Sequence, residues 1–277
     1  MRDLNVLASS VLHSQVRVSV AKTGGSGTVI YAKQDGNTYD TYVLTCQHVI
    51  SDALTVRKEW DSRVGRERKK EYRQLVTVEF FDWDNVPHGS RPLNYSADAQ
   101  IVAYDAPHDM AILKLKTVKQ APAVARIMKS DDAKNLRIGS PVVAVGAALL
   151  HDPVLTEGII THMGDEIDYK DYWMSNAQII FGNSGGAVFT EMKDGYEFIG
   201  IPSRVSVTWG TPITHLGYFS PVTRVNEFLE EQLYCFLVPG HEHNAAKCLS
   251  ERLKRDKQEV LREKEVEQEI VLDYPEE

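Results

Sequence analysis

The sequence predicts an all-β protein whose antiparallel strands form two successive units, with a short N-terminal helix and helices at the C-terminus. Three observations carry that expectation. Apolar runs are short and many alternate with polar residues, and clusters of Gly, Asp and Asn separate them. No strand–helix–strand alternation of the parallel α/β kind recurs. The 277 residues, 43% hydrophobic and 25% charged, match an ordinary globular composition. That length allows two cores of about one hundred residues each.

Leu4, Leu7, Ala8, Val11 and Leu12 share one helical face, with Asp3 placed to cap it. From Gln15 the period shortens to two, as Val16, Val18 and Val20 alternate with polar residues. A strand over 28–32 leads through the turn Gln34-Asp35-Gly36-Asn37 into a strand over 42–46. Strands over 75–81, 100–104 and 110–115 complete the first unit, and 116–122 reads as a connection. The second unit has strands over 141–145, 156–163, 172–180, 187–190, 198–201, 204–208 and 217–219. Ser220 and Pro221 then read as cap and first residue of a helix. The resulting division is an N-terminal helix over 1–14, β units over 15–120 and 121–235, and a charged helical tail over 236–277.

Charge narrows the class of partner. A net charge of −8 is the wrong sign for a protein that holds nucleic acid through its overall field. The stretch 57–73 carries eight basic residues against four acidic ones. It lacks an interleaved aromatic platform and reads as a solvated loop inserted between strands rather than a nucleic-acid surface. The tail has helix-forming composition without a clean heptad, which favours an exposed or partner-docked helix over a coiled coil. The opening residues lack the basic and apolar pattern of a secretory leader, and no later stretch is apolar enough to span a membrane. Cys46, Cys235 and Cys248 are odd in number and widely spaced, unlike a disulfide framework. A cytoplasmic, reducing location is the expectation. Cys46 reads as a buried strand cysteine. His241-Glu242-His243 with Cys248 matches no common structural zinc spacing and reads as a polar linker, so no metal is expected.

Three distant segments carry ingredients of nucleophilic acyl transfer. In Gly182-Asn183-Ser184-Gly185-Gly186 a serine lies among glycines, which permit a sharp turn with backbone amides converging beside its oxygen. In Leu44-Thr45-Cys46-Gln47-His48-Val49 a strand delivers a histidine, a base suited to a serine hydroxyl near neutral pH. In His108-Asp109-Met110-Ala111-Ile112-Leu113 a carboxylate opens an apolar strand, where it can orient an imidazole. The Ser184 motif also fits the elbow of α/β-hydrolases. That fold requires a helix after the serine and later Asp and His, whereas Ala187-Val188-Phe189-Thr190 and the turn Lys193-Asp194-Gly195 read as a hairpin.

The order His, Asp, Ser resembles the chymotrypsin-like serine proteases, and most of all the trypsin-like peptidases of the HtrA/Deg type. The resemblance runs from about Val16 to Leu233. It takes in Gly25-Ser26-Gly27-Thr28-Val29-Ile30, Leu136-Arg137-Ile138-Gly139-Ser140-Pro141-Val142, Phe198-Ile199-Gly200-Ile201 and Gly217-Tyr218-Phe219-Ser220-Pro221-Val222. It implies two six-stranded antiparallel β-barrels and cofactor-independent endopeptidase action on a protein or peptide substrate. Ser184 would be the nucleophile, His48 the general base and Asp109 the orienting carboxylate. The amides of Gly182, Asn183 and Ser184 would hold the oxyanion, each such donor supplying about 3–4 kcal/mol. Gln178, Ile179 and Ile180 would line an apolar acyl-side pocket. Ser203, Arg204 and Val205 would add substrate as an extra strand. The alternative is a latent or inactive protease fold used for binding. Phe181 stands where relatives often carry Pro, Arg204 where a small residue is expected, and the chain after Leu233 is too short for a PDZ domain.

Overall fold

A computed structural model describes residues 4–21, 23–62, 66–83 and 91–272. Residues up to Asn226 form one compact unit and Glu227–Glu277 a second. The first unit opens with α1 (Leu4–Leu7), which continues as a π-turn (Ala8–Leu12). Asp3, the expected cap, lies outside the described residues.

Six strands close the first barrel in the order β1-β2-β3-β8-β7-β6: β1 (Gln15–Val20), β2 (Thr23–Asp35), β3 (Thr38–Thr45), β6 (Val76–Asp82), β7 (Leu93–Asp105) and β8 (Met110–Thr117). Neighbouring strands are antiparallel, with Val16 opposite Gly27 on one side and Phe80 on the other. The alternating residues read from the sequence, Val16, Val18 and Val20, are buried. Val16, Val18, Val29, Val43, Val78, Phe80, Ile112 and Leu113 are all buried, and full burial of such a side chain contributes about 1.5–3 kcal/mol.

The stretch 57–73 corrects the expectation of a loop. It belongs to a two-stranded ribbon, β4 (Leu54–Asp61) paired with β5 (Arg66–Arg73), outside the barrel. Arg57 faces Lys70 and Lys58 faces Lys69 across it. Glu59 accepts from Lys70 and from Tyr72, which offsets that repulsion.

The second barrel closes as β10-β11-β14-β13-β12-β9, from β9 (Pro141–Gly146), β10 (Val154–Ile167), β11 (Lys170–Ser175), β12 (Ala187–Met192), β13 (Gly195–Thr208) and β14 (Thr211–Pro221). Its core holds Phe189 edge-on to Phe198 with ring centres 6.0 Å apart. Trp173 meets Phe219 in the same way at 6.0 Å. Strands expected over 198–201 and 204–208 are one strand, β13, with register breaks near Ser203 and after Val205. The strand expected over 172–180 stops at Ser175, because the following residues leave the sheet to form the site described below.

Ser220 and Pro221 do not start a helix. They end β14, opposite Ile201 and Gly200, and α4 runs Val222–Glu231. In the second unit a 3-10 turn (Cys235–Leu237) precedes α5 (Ala245–Leu272). There the Arg252 guanidinium lies 3.8 Å from the centre of the Tyr234 ring and donates to the Leu233 carbonyl at 3.0 Å. Among the described residues no helix is long and apolar enough to cross a membrane.

Candidate active site

β3 ends at Thr45, Cys46 is extended, and the one-turn helix α2 (Gln47–Ile50) carries His48. Asp109 sits in the turn between β7 and β8 with a φ of 57°, a left-handed conformation that aspartate tolerates better than most residues. The two side chains meet at 2.7 Å between His48 Nδ1 and Asp109 Oδ2. The other carboxylate oxygen, Oδ1, accepts the His48 backbone N–H at 2.9 Å. An ionised carboxylate only accepts, so Nδ1 carries the proton and the Nε2 lone pair faces outward. The Asp109 side chain is 16% exposed and that of His48 49%, so the pair has one sheltered end and one open end.

A second pair braces the turn that carries Asp109. Asp105 accepts the His108 backbone N–H at 3.1 Å and meets its Nδ1 at 2.7 Å. Arg224 approaches the same carboxylate at 3.5 Å.

Ser184 lies between two glycines in left-handed conformations, Gly182 (φ 93°) and Gly185 (φ 84°). A β-carbon on Gly185 would lie 2.3 Å from both the Ser26 carbonyl oxygen and Thr45 Oγ1. Only glycine lets this backbone sit against the strand end that leads to His48. Ser26 N–H donates to the Ser184 carbonyl at 2.8 Å, and Gly185 N–H to that of Pro202 at 3.0 Å. The fold therefore joins His48 and Asp109 directly and seats the Ser184 turn against Thr45 and Cys46. Ser184 Oγ makes no hydrogen bond among the described residues, so the serine limb stands open. Such contacts often tighten only around a bound substrate.

Peptide directions around Ser184 are fixed by long-range bonds. The Phe181 carbonyl accepts Leu149 N–H at 2.7 Å, with Leu149 itself left-handed at φ 50°. In a planar trans peptide the next N–H points the opposite way, so the Gly182 amide is aimed away from Leu149. Ser26 Oγ donates to the Gly182 carbonyl at 2.6 Å and accepts Ala147 N–H at 2.7 Å. Asn183 turns inward: its N–H donates to the Ile180 carbonyl at 3.0 Å, and its Oδ1 accepts Ile180 N–H at 3.1 Å. This corrects the expectation that three successive amides face the site. The Asn183 amide is spent within the turn, while those of Gly182 and Ser184 have no partner among the described residues.

The residues expected to hold substrate occupy varied settings. Gln178 is exposed. Ile179 is 2% exposed, its N–H bound to the Thr214 carbonyl at 3.0 Å. Its side chain fills the space where a β-carbon on Gly217 would be. Ile180 is half-buried in the Asn183 turn. The Ser203 hydroxyl is buried without a hydrogen bond, and Val205 pairs with Gly217. Arg204 lies over the Tyr172 ring at 5.2 Å and binds Asp168 at 3.1 Å. β12 pairs with β13 only as far as Gly200, so residues 203–208 have β14 on one edge and, among the described residues, no strand on the other.

Cys46 is fully buried and donates to the Pro202 carbonyl at 3.4 Å. Burial, then the Asp109 carboxylate, push its thiol well up from the ordinary range. Donor atoms of Cys46, His48 and Asp109 lie within 4.8 Å of one another. A metal there would have to displace the proton that binds His48 to Asp109.

Sequence reasoning missed the bonding roles of Ser26 and Leu149 and the Asp168 and Tyr172 partners of Arg204. Only Ser26 carried a signal, as a hydroxyl between two glycines within an apolar strand.

Two closed antiparallel barrels with a His–Asp pair and a glycine-bounded serine define a two-barrel peptidase domain. Residues 25–201 match the family of the trypsin-like peptidase domain, and the chain belongs to that family. It is 26% identical over 220 residues to "Putative protease Do-like 14" of Arabidopsis thaliana, covering 77% of this chain and 42% of that protein. It is 33% identical over 141 residues to "Serine protease HTRA1" of Xenopus tropicalis, covering 48% of this chain and 28% of that protein. The chain thus spans less than half the length of these relatives. Its fold is similar to that of the HtrA-type protease AlgW solved with a tripeptide, with a TM-score of 0.56, 20% identity and coverage of 83% of this chain and 63% of that one.

Proposed function

We propose that the chain is a serine endopeptidase that cleaves peptide bonds through an acyl-enzyme. The observation that carries this reading is the two-point attachment of His48 to Asp109 beside the Ser184 turn. Ser184 Oγ attacks the carbonyl carbon while His48 Nε2 takes its proton, and Asp109 stabilises the imidazolium that forms. The oxyanion is received by the amides of Gly182 and Ser184. His48 returns the proton to the leaving amine. Water, deprotonated by the same imidazole, then releases the acyl group from Ser184.

Substrate adds as a strand along the unpaired edge at Ser203, Arg204 and Val205, which supplies backbone affinity without sequence selection. Gln178 leaves the acyl-side pocket without a fixed charge. Ile179 and Ile180 favour a small or medium apolar side chain there.

The test is cleavage of a mixed peptide library, together with labelling by a serine-directed phosphonate, by the full chain and by Ser184→Ala. The expected result is cleavage and labelling by the parent only, with unchanged circular dichroism. Equal cleavage by the variant overturns the assignment of Ser184. Absence of both signals in the parent supports the latent-fold reading instead.

A further inference from the structure

The second unit gathers three donor side chains that the sequence separates. Cys235 lies in the 3-10 turn, Cys248 in the first turn of α5, and His243 in the connection between them. One donor atom from each lies within 4.8 Å of the other two. Both cysteines are buried and free, at 6% and 0% exposure. His243 Nδ1 is enclosed and makes no hydrogen bond, whereas Nε2 receives one from Lys247 at 2.7 Å. Nδ1 is therefore the nitrogen left open toward a ligand.

The frame around these donors is already set. Asn244 caps α5, its Oδ1 accepting Lys247 N–H at 2.9 Å and its carbonyl accepting Cys248 N–H at 3.1 Å. This holds His243 and Cys248 on either side of the cap. The His241 ring stands edge-on to His243 at 4.7 Å, and its Nδ1 accepts His243 N–H at 3.1 Å. Glu251, one turn beyond Cys248, brings a carboxylate oxygen to 3.6 Å from His243 Nδ1.

We propose that Cys235, His243 and Cys248 bind one zinc ion, through two thiolates and Nδ1, with water in the fourth position beside Glu251. Two sulfurs and an imidazole nitrogen are the donor set that zinc favours. Tetrahedral bonds of about 2.3 Å to sulfur and about 2.0–2.1 Å to nitrogen put donors about 3.5–3.8 Å apart. Contraction from the present arrangement is within reach of side-chain rotation. On binding, the two thiols release their protons and the His243 ring proton moves to Nε2, displacing the Lys247 amine on its exposed stem. Two thiolates cancel the charge of the ion, which suits a buried site. A Cys235–Cys248 disulfide would use the sulfurs but leave the enclosed Nδ1 without a partner.

The experiment uses the full chain, purified under reducing conditions, equilibrated with zinc and freed of loosely held metal. One equivalent of zinc is expected in the parent, falling at least tenfold in Cys235→Ser, Cys248→Ser and His243→Ala. Cobalt loading should give thiolate charge-transfer absorption that weakens in each cysteine variant. His243 is only half-buried, so its variant tests the site where a cysteine variant fails to fold, with helical content followed by circular dichroism. A parent that retains no zinc overturns the proposal. So does zinc retained undiminished by the His243 and Cys235 variants, which would place the ion elsewhere. A disulfide found between Cys235 and Cys248 in the reduced preparation overturns it too.

Discussion

Ser26 Oγ donates a 2.6 Å hydrogen bond to the carbonyl of Gly182, which lies 156 residues further along the chain. The same oxygen accepts Ala147 N–H at 2.7 Å. One buried hydroxyl on β2 therefore fixes both the serine turn and the loop after β9. Ser26→Ala leaves a buried N–H and a part-buried carbonyl without partners, which costs about 1–3 kcal/mol of stability. Because the Gly182–Asn183 peptide then loses an anchor and loosens the serine turn that follows it, kcat should fall at least about tenfold with little change in KM. Steady-state kinetics with an unchanged pH profile would mark Ser26 as a positioning residue; an unaltered kcat would refute that role.

Asp109→Asn preserves shape and removes the charge that fixes the His48 tautomer. The expected loss in kcat is about four orders of magnitude, the size seen when an orienting aspartate is neutralised in a triad. The measurement is turnover of a cleaved peptide by the purified variant. A loss of only a few fold would mean that another group orients His48.

Cys46, although two residues before His48, should resist alkylation in the folded protein. Its thiol is held well up by burial and by the Asp109 carboxylate, so the reactive thiolate is scarce at neutral pH. A raised thiol pKa keeps the proton on in the folded state, so labelling should begin only at strongly alkaline pH or on unfolding. Mass spectrometry after iodoacetamide treatment, with and without denaturant, checks this. Fast labelling near pH 7 would contradict it.

Ile179 occupies the space beside Gly217. Ile179→Ala should shift the acyl-side preference toward larger apolar residues, raising kcat/KM for Phe relative to Val by about tenfold, since each methylene in a pocket is worth about 1–3 kcal/mol. Library profiling of parent and variant reads this directly. An unchanged profile would remove Ile179 from the pocket.

The two-barrel class was legible because its core strands alternate: Val16, Val18 and Val78 show their burial in the sequence. The β4–β5 ribbon was not, since residues such as Arg57, Lys58, Lys69 and Lys70 are exposed and leave no inward face to give a pattern. Pro221 misled because proline suits the start of a helix as well as a strand end. His48 and Asp109 could be picked out because each sits where a strand begins or ends. The direction of the Asn183 amide could not, because Ile180 and Ser26 set it through bonds outside the motif. The Cys235–His243–Cys248 group was hidden for a similar reason: only the 3-10 turn brings Cys235 back to the others.

The strand edge at residues 203–208 has a consequence for solubility. A row of amides and carbonyls with no strand partner among the described residues, continuing through exposed Val207 to a fully exposed Trp209, would template pairing with any extended chain, including a second molecule of the same protein. Two register breaks in β13 and the tight left-handed turn at Trp209 and Gly210 interrupt the regularity that aggregation needs. The irregularities that prepare this edge for a short guest also guard it against fibril growth.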